Sequence, residues 1–141
     1  MVKRAKLIIG RLDIVDLPDL GVEDIHAKVD TGAYRSSLHC KKVHEAGGVL
    51  YFTIHTDTGY QEYETIDWTQ KVVKSSNGKA QKRYVIKTRI RIFQKNYMAS
   101  ISLTDRSEMK NPLLIGRKML SRKFIVDVSE KNLSYLKKKT S

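Results

Sequence analysis

The sequence predicts an all-β protein, a barrel or sandwich, and three observations carry that prediction. Short runs of β-forming residues recur at regular spacing, separated by turns built on Gly, Asn and Asp. In the run from 86 to 92, Ile86, Thr88, Ile90 and Ile92 share one parity, while Lys87, Arg89 and Arg91 share the other, as in an antiparallel strand with one buried face. Only one segment, Arg-Lys-Met-Leu-Ser-Arg-Lys at 117–123, reads as a helix.

Taken in order, Leu-rich 6–17 gives one or two strands broken at Gly10, and 26–30 a short strand ending at Asp30. Residues 36–46 read as one extended stretch. Residues 48–56 and 60–67 flank Asp57-Thr58-Gly59 as two arms of a tight turn. Asn77-Gly78 is the strongest hairpin signal, joining 70–76 to 81–93. Residues 97–105 form another strand, and Pro112–Gly116 an apolar, strand-like run. The segment 124–136 is expected to close the chain with a strand, a turn and a final short strand.

The chain has 141 residues, 40% apolar and 30% charged, which suits one globular domain over 1–141. No apolar run approaches the roughly 20 residues a membrane helix needs. The N-terminal apolar run is only Leu7-Ile8-Ile9, which is not a signal peptide. The single cysteine, Cys40, excludes an internal disulfide and fits a cytoplasmic location. With 27 Lys and Arg against 15 Asp and Glu, the net charge is +12, which favours an anionic partner. No nucleic-acid motif accompanies that charge, so nucleic acid is not the expected partner.

Asp-Thr-Gly occurs twice, at Asp30-Thr31-Gly32 and Asp57-Thr58-Gly59. Two carboxylates sharing one proton can activate water and protonate a leaving group, because like charges about 3 Å apart cannot both ionise. Asp30 follows apolar Val29 at a strand end and precedes Ala33, whereas Asp57 sits in a hairpin pattern with Tyr60, Glu62, Tyr63 and Glu64 on its far arm. Asp57 is therefore read as a turn residue. A two-lobed molecule with both sites in one chain would need two barrels, for which 141 residues are too few.

The segment Ala27-Lys28-Val29-Asp30-Thr31-Gly32-Ala33, followed far downstream by Pro112-Leu113-Leu114-Ile115-Gly116-Arg117-Lys118-Met119-Leu120, resembles the retropepsin-like aspartic proteases. Over nearly the whole chain, the stretches 27–40, 75–88, 101–120 and 124–136 are similar to a bacterial family labelled ATP-dependent zinc protease, whose members often sit beside ATP-grasp glutamate ligases of the RimK type. The resemblance implies a closed acid-protease β-barrel with one short helix after the Gly-Arg element. It implies a homodimeric aspartic endopeptidase in which Asp30 of each chain is catalytic, with Thr31, Gly32, Ala33, Gly116 and Arg117 supporting the active-site loop. Arg117 is expected to have a structural role, pairing with a carboxylate or with backbone. The hairpin at 72–85 is the candidate flap, with Ser76, Asn77, Gly78 and Lys79 at its tip. The expected substrate is an acidic or glutamate-tailed peptide or protein, with a functional link to a glutamate ligase. The alternatives are a non-catalytic module that binds acidic tails or a ribosomal protein, and a zinc-dependent peptidase.

No cofactor is expected from the residues. The chain lacks a G-x-x-x-x-G-K-[ST] phosphate loop and a His-Glu-x-x-His pair. The remaining zinc option is His39, Cys40 and a carboxylate such as Asp30. Against it, His39 is read as a polar residue at the site mouth, Cys40 as a small buried one, and His39 and His44 as lying on opposite faces of one strand.

Overall fold

The computed structural model describes residues 5–56, 59–74, 77–105 and 110–140. Asp57, Thr58 and Ser76, each named above, lie outside the described residues.

The chain opens with β1 (Leu7–Ile9) and β2 (Leu12–Leu17), a 3₁₀ turn at Pro18–Leu20, and β3 (Val22–Val29). Then come β4 (Ser36–His39), β5 (Lys41–Ala46), β6 (Val49–Thr56), β7 (Gly59–Thr65) and β8 (Trp68–Lys74). The long strands β9 (Ala80–Ile92) and β10 (Lys95–Thr104) follow, then β11 (Leu113–Ile115), helix α1 (Arg117–Leu120), β12 (Phe124–Val126) and helix α2 (Leu133–Thr140).

The main sheet runs β10-β4-β11-β3-β2-β9-β8, and β10 also pairs with β9. That extra pairing closes a ring of six strands, with β8 extending from its rim. The closed all-β barrel is thus the observed fold. Closure rests on the β9–β10 hairpin, whose register runs from Lys95 opposite Ile92 to Ser102 opposite Val85. A closed ring leaves no open edge among its six members, which removes a template for unwanted pairing. The alternation read at 86–92 holds: Ile86, Thr88, Ile90 and Ile92 are buried and Lys87 and Arg89 exposed. Leu17, Ile25, Leu38, Ile101, Leu113 and Ile115 join those isoleucines in the core. Leu50, Phe52 and Ile54 extend it beneath a separate three-stranded sheet, β5-β6-β7.

Two expectations are corrected. Residues 36–46 are not one strand. The chain leaves the barrel after β4 and enters the three-stranded sheet as β5, with a register shift between Lys41 and His44. His39 and His44 therefore belong to different sheets, and His39 is buried in β4 rather than standing at a site mouth. The C-terminal segment, expected to end in a short strand, ends in α2 instead. Short apolar runs are ambiguous between strand and helix, and here a distant cap decides. Asp13, buried on β2, accepts the N–H groups of Ser134 (3.0 Å) and Tyr135 (3.1 Å), in the first turn of α2. Ser134 Oγ in turn accepts the Phe93 N–H at the β9–β10 turn (2.8 Å). Near the other end, Lys138 Nζ donates to Asp16 and Asp24. Burial pushes the Asp13 carboxyl above its ordinary pKa, against the lowering effect of the N–H groups that it accepts.

Candidate active site

Asp30 stands where β3 ends, half-exposed at the start of the loop 30–35. The parallel pairing of β11 with β3, Ile115 opposite Val29, brings the downstream segment alongside it. Five contacts then hold the loop from that side. The Asp30 N–H donates to the Ile115 carbonyl at 2.9 Å. The Arg117 N–H donates to the Ala33 carbonyl at 2.8 Å, and the Lys118 N–H to the Tyr34 carbonyl at 2.9 Å. The Arg117 guanidinium reaches back to the Thr31 carbonyl at 3.0 Å. The Gly116 N–H is held by the buried Ser36 Oγ at 3.1 Å.

Gly116 must be glycine for steric reasons. A Cβ there would lie 2.6 Å from the Arg35 carbonyl and 2.7 Å from the Tyr34 oxygen, closer than packed atoms tolerate. Gly32 serves the carboxylate directly: its N–H donates to Asp30 Oδ1 at 3.0 Å, and the Ala33 N–H closes the turn on the Asp30 carbonyl at 3.3 Å. One carboxylate oxygen is thus oriented by backbone. Ala33 supplies no hydroxyl to that carboxylate. Thr31, Tyr34 and Arg35 are exposed on the same loop, and Arg117 lies over the Tyr34 ring at 5.8 Å.

The predicted residues Asp30, Thr31, Gly32, Ala33, Gly116 and Arg117 are therefore brought together across more than eighty residues of sequence. Arg117 takes its anticipated structural part, to backbone. Ser36, Tyr34 and Lys118 were missed, since two of the three act through main-chain atoms, which any side chain offers. The one signal was a small hydroxyl residue shortly after Ala33. The helix after the Gly-Arg element is shorter than expected, with 121–123 turning away from α1.

The second Asp-Thr-Gly is flanked by β6 and β7. Thr56 and Gly59 face each other at the end of the β6–β7 hairpin, outside the barrel ring. The candidate flap is a hairpin of β8 and β9, with Lys74 opposite Ala80. Gly78 adopts φ +82, and the Lys79 N–H lies 3.4 Å from Asn77 Oδ1.

The zinc option does not fit the residues. Burial, the largest influence, pushes the Cys40 thiol up to about 12. Cys40 Sγ faces the Leu38 carbonyl at 3.7 Å. Among the described residues, no three His, Cys, Asp or Glu side chains cluster as a metal site would require. No helix among them is long and apolar enough to cross a membrane.

A family model described as "Retropepsin-like aspartic endopeptidase RimB" matches residues 8–137. The chain is 34% identical over 135 residues to a "Probable alpha-L-glutamate ligase" of Shewanella pealeana, a match covering 89% of this chain and 29% of the relative. A protein of the same name from Shewanella halifaxensis is 35% identical, with the same coverage. The chain thus spans 29% of the length of these curated relatives. Among solved structures, the crystal structure of protein Lpg0085, of unknown function (DUF785), from Legionella pneumophila superposes with a TM-score of 0.76 at 29% identity, covering 92% of this chain and 99% of that one. The chain belongs to the RimB-like family of retropepsin-like aspartic endopeptidases.

Proposed function

From that membership and the geometry of the Asp30 loop, we propose that the protein is an aspartic endopeptidase that works as a homodimer, each chain contributing Asp30. The observation that carries this reading is the loop itself. A half-exposed carboxylate is oriented by the Gly32 N–H and held from beneath by Ile115, Gly116 and Arg117, next to the exposed Thr31, Tyr34 and Arg35.

The chemistry needs two carboxylates sharing one proton. The ionised one draws a proton from water as it attacks the peptide carbonyl, and the protonated one donates to the carbonyl oxygen and then toward the amine leaving group. In the sequence, no Gly-Arg segment follows the second Asp-Thr-Gly at the spacing found for the first, so the second carboxylate is assigned to Asp30 of another copy. The hairpin around Asn77-Gly78 is assigned the part of flap. Zinc and ATP have no part in this mechanism. The location is proposed to be cytoplasmic.

The substrate is proposed to be an acidic or glutamate-tailed peptide or protein. The +12 charge and the relatives' name, a glutamate ligase, both support this class, and a working link to such a ligase is proposed with it. A second reading, a non-catalytic module that holds an acidic tail, is favoured by the relatives' greater length, since their matching segment is a minor part of a chain named for ligation. Incubating the wild type and Asp30→Asn with glutamate-tailed and plain peptides, read by mass spectrometry, separates the two. Cleavage by the wild type alone supports the peptidase. Binding by both without cleavage by either supports the module. A strict monomer under conditions of activity would defeat the shared-carboxylate mechanism.

A further inference from the structure

A recess of about 350 Å³ lies between the outer face of β9–β10 and α1, on the barrel exterior. Its size is at the lower end of the roughly 300–1,000 Å³ usual for ligand pockets. Three cations line it, Lys87 from β9, Lys118 from α1 and Lys123 just beyond, with no acidic side chain among the lining residues. Among the described residues, neither Lys87 nor Lys118 forms an ion pair; the ion pairs found there join Arg89 to Asp19 and Lys138 to Asp16 and Asp24. Lys123 Nζ is fixed by the Met119 carbonyl at 3.1 Å. Like charges gathered in one recess repel each other, so an anion is the natural occupant.

The walls narrow the class of anion. Met98, 56% exposed, and Met119 supply adaptable apolar surface beside the ammonium groups. That combination suits a side chain with a methylene body and a carboxylate end. Arginine forks, the usual partners of phosphate, are absent from the lining, and so are the aromatic platforms on which nucleic-acid bases stack.

Two lining residues also belong to the Asp30 loop assembly. Ser36 holds the Gly116 N–H through its oxygen, and the Lys118 N–H holds the Tyr34 carbonyl. We propose that this recess is a carboxylate-binding subsite for an acidic peptide segment, outside the catalytic cleft and joined to the Asp30 loop through Ser36 and Lys118. The assignment rests on the peptidase reading for its substrate, but its test does not depend on cleavage.

The test uses the full chain carrying Asp30→Asn, so that nothing is consumed, titrated with a penta-glutamate peptide. Penta-glutamine, inorganic phosphate and an oligothymidylate at matched ionic strength are the comparison arms. Amide NMR is expected to show penta-glutamate shifting the signals of Ser100, Lys118 and Gly116, with penta-glutamine shifting none of them. Adding Lys87→Gln and Lys123→Gln should weaken the peptide's Kd about threefold to tenfold, as expected for two solvent-accessible charge contacts, at unchanged Tm. An unchanged Kd, or shifts confined to residues outside the recess, would overturn the proposal. So would phosphate or oligothymidylate displacing the peptide at equal concentration. The peptidase reading is scored separately: a wild type that binds here but never cleaves defeats that reading alone, and one that cleaves while the Lys variants keep full affinity defeats only this proposal.

Discussion

The two Asp-Thr-Gly tripeptides share their letters and little else. The first begins a loop held by main-chain and side-chain bonds from a segment more than eighty residues away. The strands on either side of the second pair with each other, Thr56 opposite Gly59, with His55 and Tyr60 in ring contact at 4.7 Å. A tripeptide can make a turn by itself. Presenting a carboxylate at fixed orientation takes a second layer of structure, and the Asp30 loop has one.

The largest expected effect tests that contrast directly. Asp30→Asn should lower kcat on an acidic peptide by about a thousandfold or more, within the range that acid–base groups contribute. Asp57→Asn should leave kcat within about twofold. Equal losses from both would erase the distinction.

Next comes the support beneath the loop. Gly116→Ala forces a Cβ against the Arg35 and Tyr34 backbone and should lower unfolding stability by about 3 kcal/mol, read by urea titration. Gly59→Ala meets no atom within 4 Å and bears only the strain of φ +109, so about 1 kcal/mol is expected. A reversal of that order would show that the hairpin, not the loop, is the tightly held site.

Arg117→Met removes one bond to the Thr31 carbonyl. It should lower stability by about 1 kcal/mol, and it should lower kcat more than it raises KM, because it frees the loop rather than the substrate. An unchanged kcat would make Arg117 irrelevant to the presentation of Asp30.

The smallest effect concerns a third aspartate. Asp13 has its pKa raised in the folded state, chiefly by burial, so the folded chain holds this proton more tightly than the unfolded one. Its contribution to stability therefore falls as pH rises from the ordinary carboxylate range through the raised value, and returns on acidification. Asp13→Asn should remove that slope, seen as a difference between the Tm–pH curves of the two proteins. Parallel curves would show that Asp13 is not the group responsible.

Where the sequence was legible, the information was local. The parity of Ile86, Ile90 and Ile92 against Lys87 and Arg89 is a property of one strand, and Asn77-Gly78 is a turn whatever surrounds it. The motif at Asp30 and the Gly-Arg segment were also readable, each as a short pattern, and their order along the chain suggested that they meet. Where reading failed, the missing information was non-local. Residues 36–46 alternate like one strand, but the chain changes sheets after His39, and no residue near it announces that. The residues 133–140 carry too few apolar positions to choose between helix and strand, and the choice is made by Asp13, 121 positions away from Ser134.

The sequence alone thus determined the strand pattern and the segment that meets the Asp30 loop, because turn chemistry, side-chain alternation and short motifs act over a few residues. Only the tertiary structure decided that the ring closes through β9 and β10, that Ser36 holds Gly116, and that the last segment is a helix. These depend on hydrogen-bonding groups from distant parts of the chain meeting in a buried setting, where each must find a partner, and no short stretch of sequence names the partner it will find.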